Sequence, residues 1–221
     1  MKFFNLHTHK YTNSKETLEL LNQYPWEFDE VFPFYSIGIH PWYIDKNRLE
    51  NDLKTIEEKL SLKECLALGE CGLDKRIETP MEIQIIVFKR QIALAEKYQK
   101  PLVLHVVAAF DELIAIKKEL KISVPIIIHG FSKNKQVAKQ LIDNGFYISF
   151  GKYLLQNAEL ESVFKSIPND NFFLETDTME ETLEDVYTVA AKYKNIQVEE
   201  IIEIINHNFC TVFKSNIKNL I

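Results

Sequence analysis

The sequence predicts an α/β protein, a (β/α)8 TIM barrel, on three observations. Eight short apolar runs, several of them rich in β-branched and aromatic residues, have the composition of strands. Segments with apolar residues at helical spacing lie between most of these runs. Residues 102–104 and 126–128 are continuously apolar, which indicates strands buried on both faces of a parallel sheet. Eight such strands with intervening helices favour a closed barrel, and an open doubly wound sheet is the alternative.

The predicted strands follow the chain from its first residues. They span 2–7, 17–22, 34–39, 65–70, 102–107, 126–129, 146–150 and 172–175. Residues 24–33 show no helical pattern, so we expect the barrel to be shortened between strands 2 and 3. No flexible linker or low-complexity segment interrupts the chain. We therefore expect 1–221 to form a single domain.

Local signals place several helix ends. Thr79 is expected to cap a long helix that has Pro80 at its first position, and Ser132 to cap a later one. That later helix ends at Asn144-Gly145, a common C-terminal signal. The predicted helices span 49–62, 80–99, 110–120, 133–144, 159–166, 181–193, 198–205 and 209–214.

Composition is that of an ordinary globular protein. Apolar residues make up 46% of the chain and charged residues 26%. No apolar run approaches the length of a membrane span, and residues 1–10 lack the features of a signal peptide, so we expect a cytoplasmic protein with no membrane partner. Cys65, Cys71 and Cys210 show no C-x-x-C spacing, and we expect them to be reduced and partly buried.

The net charge of −6 bears on possible partners. It provides no broad basic face, which argues against binding of long duplex DNA or RNA through many phosphate contacts. A small acidic site that holds cations remains compatible with this charge. The oligomeric state is left open by the sequence.

A pair of histidines ends the first predicted strand. His7 and His9 are two residues apart, so their side chains point to the same face of a strand, roughly 7 Å apart. Two imidazoles so placed can bind one metal ion from a rigid element. Alternatively, they only pack and form hydrogen bonds.

Other histidines and two carboxylates share this placement at strand ends. His40, His105 and His129 lie at or just beyond such ends, whereas His207 is predicted to lie in a helix. Because strand ends converge on one face of a barrel, we expect a common site there. Four imidazoles and two carboxylates suit one or two divalent cations. The expected ligands are His7, His9, Glu70, His105, His129 and Asp177.

These segments resemble the motif series of the TatD-type metal-dependent hydrolases. The match runs in order along nearly the whole chain, and the ordered series is more specific than any one motif. The matching segments are His7-Thr8-His9, Gly38-Ile39-His40-Pro41, Gly69-Glu70-Cys71-Gly72-Leu73-Asp74, Leu104-His105, His129-Gly130-Phe131-Ser132 and Glu175-Thr176-Asp177.

The resemblance implies a TIM barrel of the amidohydrolase-like type with the same six metal ligands. It also implies hydrolysis of phosphodiesters, typically as a DNase, often with Mg²⁺; Mn²⁺ and Zn²⁺ are alternatives. We expect His7, His9 and Asp177 to hold one ion and His105 and His129 a second. Glu70 is expected to bridge the two ions, about 4 Å apart, and Asp177 to act as general base.

The chain departs from the family pattern at several positions. Asn5 stands where the family usually has Asp, and Val-Val-Ala-Ala at 106–109 replaces a Ser-Arg continuation after His105. An arginine that could hold a phosphate is therefore missing. Gly130 replaces a usual Cys, and Thr-Met at 178–179 replaces Ala-Pro. The metal ligands are retained, whereas one element of phosphodiester binding is not.

The sequence therefore predicts a metal-dependent hydrolase acting on free ends of single-stranded DNA or on a small phosphodiester. We expect His40 to contact the substrate; a loop histidine held by packing is the alternative. Trp42 and Tyr43 could stack on a base or could cover the barrel rim. Two other functions remain open. One is an amidohydrolase that cuts an amide or lactone, and the other is a non-catalytic metal-binding barrel.

Overall fold

The computed structural model describes residues 2–215, in which eight strands are hydrogen-bonded in chain order. The pairs β1/β2, β3/β4, β4/β5 and β7/β8 are parallel. This order, together with the helices between strands, is that of a (β/α)8 barrel. The strands are β1 Phe3–Thr8, β2 Thr17–Gln23, β3 Tyr35–Ile37, β4 Cys65–Asp74, β5 Leu102–Val107, β6 Ile126–Ile128, β7 Tyr147–Phe150 and β8 Phe172–Leu174.

In the described residues, eight α-helices and two 3₁₀ helices lie between the strands or follow the last of them. The α-helices are α1 Leu49–Leu60, α2 Met81–Tyr98, α3 Phe110–Leu120, α4 Lys135–Asp143, α5 Lys152–Gln156, α6 Leu160–Ser166, α7 Leu183–Lys194 and α8 Val198–Phe213. The 3₁₀ helices are Pro41–Tyr43 and Asn169–Asn171. Among the α-helices of the described residues, α5 is the one that the sequence patterns did not indicate.

The first two strand connections are loops. Residues 24–34 contain no helix, as predicted, and Gln23 holds this segment by exchanging two hydrogen bonds with the backbone of Asp29. The connection from β1 to β2 also lacks a helix, in agreement with the predicted helices, although the barrel was expected to be shortened only between strands 2 and 3. There Glu19 accepts hydrogen bonds from the backbone N–H and hydroxyl of Thr12. The barrel is therefore shortened at two consecutive connections.

Two predicted helix caps are wrong. The carbonyl of Pro80 accepts the first helical hydrogen bonds of α2, so Pro80, and not Thr79, is the N-cap residue. In α4 the side chain of Asn134, and not Ser132, accepts the hydrogen bond from Val137 N–H. In each case the helix begins one or two residues later than the sequence signal indicated.

The two predicted C-terminal helices are a single helix, α8. The polar residues 206–208 interrupt the apolar pattern and suggested a break. Asn208 is instead buried in the helix, where its side-chain amide donates to the carbonyls of Asn169 and Phe172. His207, which was expected in a helix although the predicted bounds left it between two, lies in α8.

The fold comprises two compact units. Asn22–Ile127 forms one, here called the central unit, and the residues before and after it form the other, the terminal unit. In the terminal unit, the buried Tyr187 of α7 donates its hydroxyl to Phe4 O and accepts from Phe4 N–H. This pair of bonds fixes β1 next to the C-terminal helices. That 1–221 forms a single domain stays a prediction.

In the central unit, β4 and β5 approach each other closely at one position. Gly72 of β4 is paired with His105 of β5, and a Cβ at Gly72 would collide with the His105 carbonyl oxygen. Glycine thus permits the approach.

The three cysteines differ in burial. Burial raises the pKa of Cys65, at the start of β4, to about 12, and Cys71 is also buried, whereas Cys210 is exposed. Within residues 2–215, no helix has the length and apolarity that a membrane crossing requires.

Candidate metal centre

A first group of potential ligands lies at the end of β1, in the terminal unit. His7, His9 and Asp177 offer ligand atoms that all lie within 4.8 Å of one another. Asp177 Oδ1 is 3.7 Å from His7 Nε2 and 3.6 Å from His9 Nε2. His7 is fully buried, whereas the side chains of His9 and Asp177 are 27% and 36% exposed. We call these three residues the open group.

Backbone pairing places Asp177 beside the two histidines. Asp177 N–H donates to His7 O at 2.9 Å, and His9 N–H donates to Asp177 O at 3.2 Å. The residue before Asp177 is clamped as well. The buried Asn5 side chain donates to Thr176 Oγ1 at 2.8 Å and accepts from Thr176 N–H at 3.0 Å. The position of Asp177 is therefore set by β1 itself.

Asp177 of the open group borders a cavity of about 360 Å³ in the same unit. Asn5, Thr8, Lys10 and Asp177 contribute to its lining, together with residues of the 176–184 segment. Water and a small polar group therefore have access to the Asp177 carboxylate.

His129 is held by the buried carboxylate of Glu175, which was not among the predicted site residues. Its ring lies 4.4 Å from that of His7, between centroids. Glu175 Oε1 lies 3.4 Å from His129 Nδ1 and accepts from Gly130 N–H at 2.7 Å. Burial alone would raise the pKa of Glu175, but His129 and His7 outweigh it and lower that pKa. Glu175 thus remains an acceptor for Nδ1–H, and Nε2 is the His129 nitrogen whose lone pair is suited to binding a metal ion.

A second group, in the central unit, consists of His40, Glu70 and His105. Their ligand atoms also lie within 4.8 Å of one another. Glu70 Oε1 is 3.2 Å from His40 Nε2 and 3.3 Å from His105 Nδ1. The side chains are 5%, 6% and 15% exposed, respectively, and we call them the enclosed group.

Two buried glutamines of α2 position this group. Gln91 exchanges two hydrogen bonds with the backbone of Ile39, directly before His40. Gln84, seven residues earlier and so on the same face of the helix, does the same with the backbone of Asp74. The backbone N–H of Glu70 itself donates to Asn22 Oδ1 at 2.8 Å.

Asp74 contacts the ring nitrogen of His105 that does not face Glu70. Its Oδ2 lies 3.1 Å from His105 Nε2 and accepts from Trp42 Nε1–H at 2.8 Å. Burial alone would raise the pKa of Asp74, but hydrogen bonds from Trp42, His105 and the Arg76 backbone hold that pKa below its usual value. The carboxylate therefore only accepts, and His105 Nε2 carries the hydrogen.

The tautomers that follow distinguish the two histidines of the enclosed group. With its hydrogen on Nε2, His105 presents the Nδ1 lone pair to Glu70. His40 Nδ1 accepts from Trp42 N–H at 3.1 Å, so its Nε2–H donates to Glu70. His105 is thus arranged as a ligand, and His40 as a hydrogen-bond donor.

This arrangement fits a divalent cation. The Nδ1 lone pair of His105 faces a carboxylate oxygen of Glu70, and two such acceptors repel unless a positive charge lies between them. Imidazole nitrogens and carboxylate oxygens are the donors that Zn²⁺, Mn²⁺ and related ions accept. The carboxylates behind His105 and His129 match the usual orienting partners of metal-bound histidines.

Each of the six predicted ligands thus lies close to other predicted ligands of the same unit. His7, His9, His129 and Asp177 lie together in the terminal unit, and Glu70 and His105 in the central unit. The bridging role of Glu70 would join residues of both units and stays a prediction.

Sequence reasoning missed the two orienting carboxylates, Glu175 and Asp74. The predicted fourth strand ended at Glu70, whereas β4 extends to Asp74 and buries it. Its spacing of four from Glu70 was the available signal, because residues i and i+4 of a strand share a face. Glu175 lies two residues before Asp177, in a motif whose first acid was left without a role.

The comparison with known protein families is decisive for identity. The model of a family described as TatD-related DNase matches residues 1–214. The chain belongs to this TatD-related family. An uncharacterized metal-dependent hydrolase of Bacillus subtilis (strain 168), YabD, is 33% identical over 208 residues, which are 86% of this chain and 80% of that protein. The chain is thus a member of a family of metal-dependent hydrolases.

Solved structures confirm the predicted barrel fold. YjjV, a TatD homologue from Escherichia coli K12, matches with a TM-score of 0.82 at 20% identity, covering 96% of this chain and 98% of that one. A TatD-family hydrolase from Entamoeba histolytica matches with a TM-score of 0.80 at 17% identity, with the same coverage. At these identities the likeness concerns the fold alone.

Proposed function

We propose that this TatD-family protein hydrolyses phosphodiester bonds at free ends of single-stranded DNA, with two divalent cations as cofactors. The observation that carries the proposal is the open group. There, a partly exposed carboxylate lies within 4 Å of two histidines, next to a cavity that water can enter. The DNA substrate rests on membership of the TatD-related DNase family.

Each unit supplies ligands in this proposal. His7, His9, His129 and Asp177 hold metal in the terminal unit, and Glu70 and His105 in the central unit. Mg²⁺ is the proposed ion, with Mn²⁺ and Zn²⁺ as alternatives. When bound, such ions lower the pKa of water and polarise a phosphoryl oxygen.

Asp177 and His40 act on the reacting groups. An Asp177 carboxylate oxygen takes the proton of the attacking water, the water oxygen bonds to phosphorus, and the bond to the leaving oxygen breaks. The proton then passes to the leaving oxygen, which balances the step. His40 contacts the substrate near Glu70.

The substrate is expected to be small or frayed. With a net charge of −6, the chain can neutralise few phosphates. Directly after His105, Val106 and Val107 stand where the family pattern has Ser-Arg, so these two positions supply no cation for a phosphate. We propose the cytoplasm as the compartment, in keeping with the three free cysteines.

The test is a time course on end-labelled linear single strands, matched circular strands and linear duplex, each with Mg²⁺, Mn²⁺ or Zn²⁺. We expect cleavage of linear single strands first. Glu70→Gln protein, purified in the same way, is the control for contaminating nucleases. Equal cleavage of circles and linear strands would contradict the end-directed reaction.

Two other results would assign the protein to another function. Turnover of simple amides or lactones without cleavage of any DNA would identify an amidohydrolase. Metal binding without turnover of any of these substrates would identify a non-catalytic barrel.

A further inference from the structure

An exposed indole lies against the enclosed group. Trp42 is 56% exposed, although its neighbours in the short helix Pro41–Tyr43 include the buried Pro41. Its ring contacts the imidazoles of His40 and His105 edge to face, with centroids 5.0 Å and 5.7 Å away. A ring that merely covered these histidines would be expected to be largely buried.

The indole is also fixed in position. Trp42 Nε1–H donates to the buried Asp74 carboxylate, and the same oxygen lies 3.1 Å from His105 Nε2. Trp42 N–H donates to His40 Nδ1. Both the ring and its backbone are thus attached to the histidines beside Glu70. A fixed, exposed aromatic ring loses little conformational entropy when it binds a flat partner.

We infer that Trp42 is a stacking platform for a nucleobase of the substrate. This inference rests on the proposed phosphodiesterase function. A nucleotide has a flat base at one end of its sugar and a phosphate at the other. A base stacked on Trp42 would leave the phosphate on the side of His40, Glu70 and His105. Stacking on an aromatic side chain is sequence-tolerant, because every base has a π-face.

Paired small substrates separate base recognition from chemistry. Thymidine 5′-(p-nitrophenyl phosphate) and methyl p-nitrophenyl phosphate have the same leaving group, but only the first has a base. We expect a wild-type preference for the thymidine ester, as the ratio of the two kcat/KM values. Trp42→Leu should reduce that ratio about 10-fold, the size typical of one stacked base. Trp42→Phe retains a ring without the indole N–H and should retain most of the preference.

Tyr98→Leu is the matched control. Tyr98 ends α2, 14 residues beyond Gln84, which contacts Asp74. At 1.5 Å per residue it is therefore about 20 Å along the helix from that contact, and about 10 Å from the contact of Gln91 with Ile39. The preference should be unchanged in this variant. A Trp42→Leu protein that loses equal activity on both esters would show that Trp42 is only structural and would overturn the inference.

A binding experiment tests the platform without turnover. The chain has two tryptophans, Trp26 and Trp42, so a Trp26→Phe protein reports on Trp42 alone. Thymidine monophosphate should quench its fluorescence, and ribose 5-phosphate, which has no base, should not. Equal responses to both compounds, or none to either, would refute the platform. Quenching in a protein that cleaves neither ester nor single-stranded DNA would leave the platform supported and refute the proposed function.

Discussion

The open and enclosed groups contain similar side chains in different surroundings. His9 and Asp177 of the open group are 27% and 36% exposed, whereas Glu70 and His40 of the enclosed group are 6% and 5% exposed. The open group is held mainly through the backbone, by pairing of Asp177 with β1. The enclosed group is held through side chains, by Asp74 behind His105.

This difference indicates a division of roles. A buried carboxylate surrounded by fixed donors keeps its charge in one place, which suits a strong electrostatic contribution to a reaction. A partly exposed carboxylate can meet water and exchange protons. We therefore expect changes to the enclosed group to cost more than changes to the open group.

The largest expected effect is that of Glu70→Gln. A neutral amide cannot supply the negative charge that a cation between Glu70 and His105 requires. We expect the rate to fall by at least about 10³-fold, on the scale of losing a main electrostatic contributor, while the melting temperature without metal changes little. Kinetics and thermal melts of the metal-free protein measure both. Near-normal turnover with fully loaded metal would contradict the proposed role of Glu70.

Asp177→Asn should have the next largest effect. The amide keeps the shape of the carboxylate and removes its ability to take a proton. We expect kcat to fall about 10²-fold, within the range of general base catalysis, and KM to change much less. If KM rose about 10²-fold and kcat stayed unchanged, Asp177 would be a binding residue, and the contrast with Glu70 would be removed.

Replacement of both open-group histidines should abolish most of the metal-induced stabilisation. At a 100-fold excess over Kd, a bound ion adds about 2.7 kcal/mol to the stability of the wild type. The His7→Ala/His9→Ala protein should lose most of the corresponding increase in melting temperature. His207→Ala, on α8, is the matched control and should retain it. An unchanged increase in the double variant would show that these histidines do not bind the ion.

The sequence was most informative where function depends on strand ends. The shared face of His7 and His9 follows from the two-residue period of a strand. Asp177, after β8, forms a parallel bridge with Thr8 of β1, because the first and last strands of a barrel are neighbours. These features are local or follow from the fold class, so pattern reading could predict them.

The sequence was least informative where long-range contacts override local signals. Gly72 suggests the end of a strand, but pairing with His105 extends β4 to Asp74. Asn208 suggests a helix break, but its amide is satisfied by the carbonyls of Asn169 and Phe172. In both cases a distant partner compensates for an unfavourable local residue, and the sequence alone does not identify that partner.

The smallest expected effect concerns Asn5, where the family usually has Asp. Its side chain exchanges two hydrogen bonds with Thr176, next to Asp177. Asn5→Ala should lower the free energy of unfolding by about 2 kcal/mol, since each buried hydrogen bond contributes about 1 kcal/mol. It should also weaken metal binding, because the loop that carries Asp177 loses its clamp.

Asn5→Asp is the matched control for that clamp. A carboxylate still accepts from Thr176 N–H, and the Thr176 hydroxyl can rotate to donate to the second oxygen. We therefore expect a smaller loss of stability than in Asn5→Ala, measured by urea unfolding, and metal affinity closer to that of the wild type. If Asn5→Ala lost stability but kept wild-type metal affinity, the backbone pairing with β1 alone would be sufficient to position Asp177. The open group would then be as preorganised as the enclosed one, and the contrast between them would lie only in exposure.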